Sequence, residues 1–146
     1  MSVIVDNIIS HIAGVIDITL EVPVFLSRFS GNPVRKIPVA CVYFEDVSRE
    51  IETIGRDRTV FNEATFVIEY HDGKGTKADI AENLDYVYFT LQPALDADRT
   101  MGGHAFHGYV SSYRKDVSEE SDTPRGVGRI EMEITWYETQ TDNGGN

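Results

Sequence analysis

Arg129-Ile130-Glu131-Met132-Glu133-Ile134-Thr135-Trp136-Tyr137 carries the clearest strand pattern in the chain. Ile130, Met132, Ile134 and Trp136 fall on one side of an extended chain, and Arg129, Glu131, Glu133, Thr135 and Tyr137 on the other. A period of two with one apolar side predicts a half-buried strand, and such a strand needs partners and a covering layer. Working outward, Ala64, Phe66, Ile68 and Tyr70 alternate with Glu63, Thr65, Val67 and Glu69 and predict a second half-buried strand. Ile37 to Phe44 is apolar on both sides and predicts an interior strand, with Pro38 at its start or edge. Ala105, His107, Tyr109 and Ser111 alternate with Phe106, Gly108, Val110 and Ser112 in a fourth.

Two segments carry the helical period instead. Val5, Ile8, Ile9, Ile12 and Ile16 gather on one helix face, and Pro23 stops any continuation. Thr76 is placed to cap a second helix with Asp79 as the capping-box acid; Ile80, Leu84, Val87, Tyr88, Leu91 and Leu95 form its stripe, and Pro93 kinks or ends it. Between the strands, Glu45 to Arg58 predicts a projecting hairpin or irregular arm. Lys115 to Gly126 predicts an exposed polar loop.

The order is helix, strand, hairpin, strand, helix, strand, loop, strand. It predicts an α+β fold: an antiparallel or mixed four-stranded sheet packed against two helices, with projecting hairpin or loops. One domain over residues 1–138 and a flexible tail over 139–146 are expected. The second sheet face, expected to carry Val42, Phe44, Val67, Phe106, Val110 and Tyr137, has more apolar surface than a monomer normally exposes, which points to another subunit.

The chain has 146 residues, 41% of them hydrophobic, with 24 Asp and Glu against 13 Lys and Arg, a net charge of -11. That balance argues against wrapping nucleic acid or gripping an anionic membrane. No basic segment followed by a long apolar run opens the chain, and no 18 uncharged apolar residues run together, so neither a secretory signal nor a membrane span is expected. Cys41 is the single cysteine, which rules out an internal disulfide and a cysteine-clustered zinc site; a buried thiol is expected.

The chemical motifs are weak. His104 and His107 point to opposite sides of a strand, and His11 on a helix and His71 at a turn are expected as surface or partly satisfied histidines. The pairs Asp96 and Asp98, Glu119 and Glu120, and Glu131 and Glu133 are expected as solvated or interface charge. Gly73-Lys74-Gly75-Thr76 lacks the rest of a phosphate-loop pattern. No catalytic residue, cofactor or metal is expected, and no enzyme activity.

Taken together, the Ile-rich helix with its Pro-containing loop, the strand Ile37 to Phe44, the charged region Glu45 to Arg58, the strand Ala64 to Tyr70, the Gly-Lys-Gly-Thr turn into Ile80 to Leu95, and two terminal strands around a polar loop resemble the tail-terminator, or tail-completion, proteins of long-tailed bacteriophages. The likeness spans residues 3 to 138 and has no single strong motif. It implies a virion protein assembled in the host cytoplasm, a homo-oligomer forming a hexameric ring that caps the tail tube and joins it to the head. Its implied partners are the tail-tube protein and the head–tail connector protein, with DNA passing through the channel without specific binding and no membrane contact. A head–tail connector or tail-tube subunit is the alternative, ahead of a small ligand-binding or enzymatic α+β protein.

A ring needs heterologous contacts between two different side surfaces. For these we expect Val42, Phe44, Val67 and Phe106 to supply apolar contact, and Arg49, Glu50, Glu52, Arg56, Asp57 and Arg58 to orient the arm by mixed charge. Glu119, Glu120, Asp122 and Arg125 are the expected docking-loop residues, near the channel or an axial surface.

Overall fold

The computed structural model describes residues 3–26, 38–52, 57–118 and 124–141. Helix α1 spans Val3–Leu20, and its five buried residues are Val5, Ile8, Ile9, Ile12 and Ile16, the predicted stripe. By length and composition alone α1 could cross a membrane. Its apolar stripe, however, is buried against the rest of the fold, with Ile8, Ile12 and Ile16 fully covered. Helix α2 spans Lys77–Asp96. At its start the Thr76 hydroxyl accepts from the Asp79 amide at 3.2 Å and the Asp79 carboxylate accepts from the Thr76 amide at 2.9 Å, the reciprocal capping box. Pro93 sits inside α2 without ending it; the helix closes when the Ala97 amide donates to the Pro93 carbonyl at 3.0 Å.

Five strands form one sheet: β1 (Val24–Phe25), β2 (Val39–Ile51), β3 (Asp57–Asp72), β4 (His107–Ser118) and β5 (Arg125–Thr141), in the order β1-β2-β3-β5-β4. The four long strands are antiparallel, and the two-residue β1 adds a parallel edge beside β2, so the sheet is mixed. Both helices pack on one face, α1 over β1 and β2, α2 chiefly over β4 and β5. The core joins the helix stripes to Ala64, Phe66, Ile68, Ile130, Met132, Ile134 and Trp136. Each of the Phe, Ile and Met side chains among these, fully buried, contributes about 1.5–3 kcal/mol of burial free energy.

Register decides which face each residue takes. Val42 pairs with Ile68 and Phe44 with Phe66, so both look toward the helices. This corrects the expectation that they lie on the uncovered face: Val42 is a fully buried core residue, and the Phe44 ring rests 6.3 Å from that of Phe66. Val110, opposite Met132, is likewise packed on the core. A β-bulge between Phe44 and Asp46 and another between Val110 and Ser112 each insert one residue. One inserted residue exchanges the two faces for everything that follows it.

The strands are also longer than expected. Lys115 to Ser118 and Arg125 to Gly126 belong to β4 and β5 and pair with each other, so the connecting segment shrinks to residues 119–124. Gly126 is needed there: a Cβ at this position would lie 2.3 Å from Ile80 Cγ2 and 3.0 Å from Leu84 Cδ1, where α2 crosses β5. At the other end β5 does not stop at 138; Thr139, Gln140 and Thr141 pair with Thr59, Arg58 and Asp57. This shortens the expected tail, of which residues 142–146 lie outside the described residues.

Candidate functional site

The sheet face away from the helices is the candidate site, since among the described residues no helix or strand packs over it. It carries the buried Val39 and Cys41 together with Tyr43 and Asp46 from β2, Phe61, Glu63, Thr65, Val67, Glu69 and His71 from β3, the odd-numbered positions of β5, and His107 and Tyr109 from β4. It has a polar centre and an aromatic end.

The centre is organised by Arg129. Its guanidinium donates to Glu45 at 2.6 Å, to Glu131 at 3.0 Å and to the Tyr43 hydroxyl at 3.3 Å. The bond to Glu45 is the main reason its pKa is raised, so the cation is fixed. The Tyr43 hydroxyl donates in turn to Glu69, whose other oxygen lies 3.3 Å from His71 Nε2. Glu131 thus pairs with a cation two residues back on its own strand, whereas Glu133 accepts from the Thr65 hydroxyl at 3.1 Å. Burial lifts the pKa of Glu133 above its usual range, opposed by the Thr65 bond and reinforced by Glu63, Asp46 and Glu131.

At the aromatic end, Tyr137 packs between Phe61, at a ring-centroid distance of 5.1 Å, and Phe106, at 5.3 Å edge-on. Phe106 is 64% exposed and Tyr137 44%. His107 and Tyr109 continue the patch along β4, with rings 5.8 Å apart. Tyr86 and Phe89 are also exposed, on α2, which packs on the opposite face of the sheet.

The four apolar residues expected at a subunit contact therefore part company. Val42 and Phe44 face the helices; Val67 is on the open face but fully buried; Phe106 alone is well exposed. Tyr137 and Phe61, paired directly across β3 and β5, complete its patch. Tyr137 stood out in the sequence as an aromatic on the polar side of the clearest strand.

The charged arm is a hairpin of β2 and β3, and Glu52 donates its amide to the Thr59 carbonyl at 2.8 Å near the tip. Arg49, Glu50, Glu52 and Arg58 are exposed on it. Arg49 Nε donates to Asn62 Oδ1 at 3.2 Å, and the Asn62 amide donates to Glu138, which also accepts from the Trp136 indole. This chain of bonds braces the arm against β5. Arg56 lies outside the described residues, and Asp57 is described only as backbone paired with Thr141. Of the docking-loop residues, Glu119, Glu120 and Asp122 also lie outside them. Arg125 opens β5 and donates to the Pro124 carbonyl at 3.0 Å.

The acidic pair beside Pro93 has structural work. Asp96 accepts from the Val110 amide at 2.9 Å and from Gln92 at 2.6 Å, and Asp98 holds the turn through Thr100 and Gly102. Those turn bonds depress the pKa of Asp98. Their oxygens are committed to different segments and do not form a paired-carboxylate centre. Asp72, buried at the end of β3, accepts from the Gly73 and Lys74 amides and from Asn83 on α2 at 2.7 Å.

No protein-family model matches the chain, and no curated protein matches it. Among solved structures it is similar to the PVC sheath/tube terminator of an extracellular contractile injection system, determined by cryo-EM in the extended state. The TM-score is 0.50 at 10% sequence identity, over 98% of this chain and 59% of the terminator chain. At that identity the likeness is one of fold. The chain spans about three-fifths of the terminator's length.

Proposed function

We propose that this chain is a structural tail terminator: a subunit that closes into a homomeric ring on the end of a tail tube and presents the surface joining tail to head. The observation that carries the reading is the fold shared with a sheath/tube terminator over 98% of this chain. The surfaces suit it. A heterologous ring contact pairs two unlike patches, and the exposed Phe106–Tyr137 end of the open face and the Tyr86 and Phe89 pair on α2 are two such patches on different sides. We assign the first to one side contact and the second to its complement. The braced β2–β3 arm, with Arg49, Glu50, Glu52 and Arg58 exposed, sets orientation by mixed charge. The finer role follows the bacteriophage case: six subunits, a tail-tube protein below, a connector above. The net charge of -11 suits DNA passage without tight phosphate binding.

Growing tail tubes in the presence of the purified chain tests this. A terminator stops elongation and is found as a closed ring at one end. Incorporation along the length identifies a tube subunit instead, and binding only to head portals identifies a connector. Replacing residues 119–123 by a Gly-Ser segment of the same length, which leaves room to close the Ser118–Arg125 pair, tests the docking loop: loss of head joining with normal capping supports it, and normal joining rejects it.

A further inference from the structure

We propose that Cys41, Glu69 and His71 form a three-ligand site for a zinc-class divalent cation, at the base of the β2–β3 hairpin, with water completing a tetrahedron. Cys41 pairs directly with Glu69 across the two strands, and His71 follows two residues along β3, so all three side chains share the open face. One ligand atom from each, the sulfur, a carboxylate oxygen and an imidazole nitrogen, lie within 4.8 Å of one another. Glu69 Oε1 and His71 Nε2 are 3.3 Å apart. Two ligands bound tetrahedrally at about 2.0–2.1 Å from one ion stand roughly 3.4 Å from each other, so this pair already has ligand spacing. Modest side-chain rotation brings the sulfur in.

The donor set selects the ion. Thiolate with imidazole and one carboxylate is a borderline-soft set that suits zinc over magnesium or calcium, which take oxygen. An outer layer is in place too. The Tyr43 hydroxyl donates to Glu69 Oε2 and is itself held by Arg129, the kind of bond that orients a ligating carboxylate. Cys41 is fully buried while the Glu69 and His71 side chains keep 13% and 14% exposure, so the thiol is the deepest ligand and the carboxylate and imidazole are the two that solvent reaches. On binding, the Cys41 proton is released to solvent and the thiolate takes its place on the metal. The ion then ties β2 to β3 just before the bulge at which the arm begins.

This inference does not rest on the terminator reading, and its test needs no assembly. The full chain, stripped with a chelator, is titrated with Co2+ and followed for the near-ultraviolet thiolate-to-cobalt absorption band. The band is expected to rise to one equivalent and to be displaced by Zn2+. Cys41→Ser is expected to abolish it, and His71→Asn, at a partly exposed position, to weaken Co2+ binding by roughly ten-fold or more. If Cys41→Ser does not fold, judged by circular dichroism, His71→Asn decides. Absence of the band in the folded wild-type chain at excess Co2+, or unchanged affinity in His71→Asn, overturns the site.

Discussion

The two faces of one sheet have opposite tasks. On the helix side Phe66, Ile68, Ile130, Met132 and Ile134 are sealed under α1 and α2, and their value lies in burial. On the other side the same strands carry Tyr43, Glu69, Arg129, Glu131 and Glu133 in a hydrogen-bonded layer ending in exposed Phe106 and Tyr137. Strand alternation thus separates stability from recognition. Changes on the first face should act on folding, and changes at the aromatic end of the second on assembly.

The largest effect should come from the covered face. Phe66→Ala is expected to cost about 3–5 kcal/mol in denaturant unfolding, because Phe66 is fully buried against Phe44 and Trp136. Phe106→Ser, at an exposed ring, should stay within about 0.5 kcal/mol of wild type. Similar losses at both positions would erase the distinction.

A smaller loss is expected where helix and sheet touch most closely. Gly126→Ala should cost about 1–3 kcal/mol, since its methyl meets Ile80 and Leu84 and both must move. Thermal melts check it; an unchanged melting temperature would mean that α2 shifts at no cost.

The smallest effect should be a gain, on the open face. Glu133 has its folded-state pKa raised above the ordinary 4.5, so its ionised form works against folding. That penalty is present above the folded pKa and relieved as pH falls through it. Glu133→Gln keeps an acceptor for Thr65 and should stabilise the chain by about 0.2–1 kcal/mol at neutral pH, the scale of cross-strand charge pairs. The gain should fade as pH falls through the folded-state pKa and be gone well below pH 4.5, where wild-type Glu133 is protonated in both states. A gain that grows on acidification would contradict the sign.

Much of the covered face was legible in the sequence, because burial there leaves a period. Ile130 to Trp136, Ala64 to Tyr70, both helix stripes and the Thr76 capping box all have the predicted roles. Strand β2 was harder. Val39 and Cys41 are as buried as Ala40 and Val42, so alternation carries no sign of which side meets the helices. The bulges at Glu45 and Ser111 then exchange faces, which no local pattern announces. The open-face site was the least legible. Tyr137 showed as an aromatic among polar neighbours, but its contact with Phe106 bridges 31 residues of chain. Cys41 and His71 meet only through antiparallel register, information that lies in pairing and not in spacing.

Particle mass and shape in solution, measured by sedimentation and electron microscopy with tube ends present, test the central claim most directly. The wild-type chain is expected as a closed ring and Phe106→Ser/Tyr137→Ser only as monomer, with the two melting at nearly the same temperature. A wild-type chain that stays monomeric on tube ends, or a double variant that closes rings equally well, would contradict the claim.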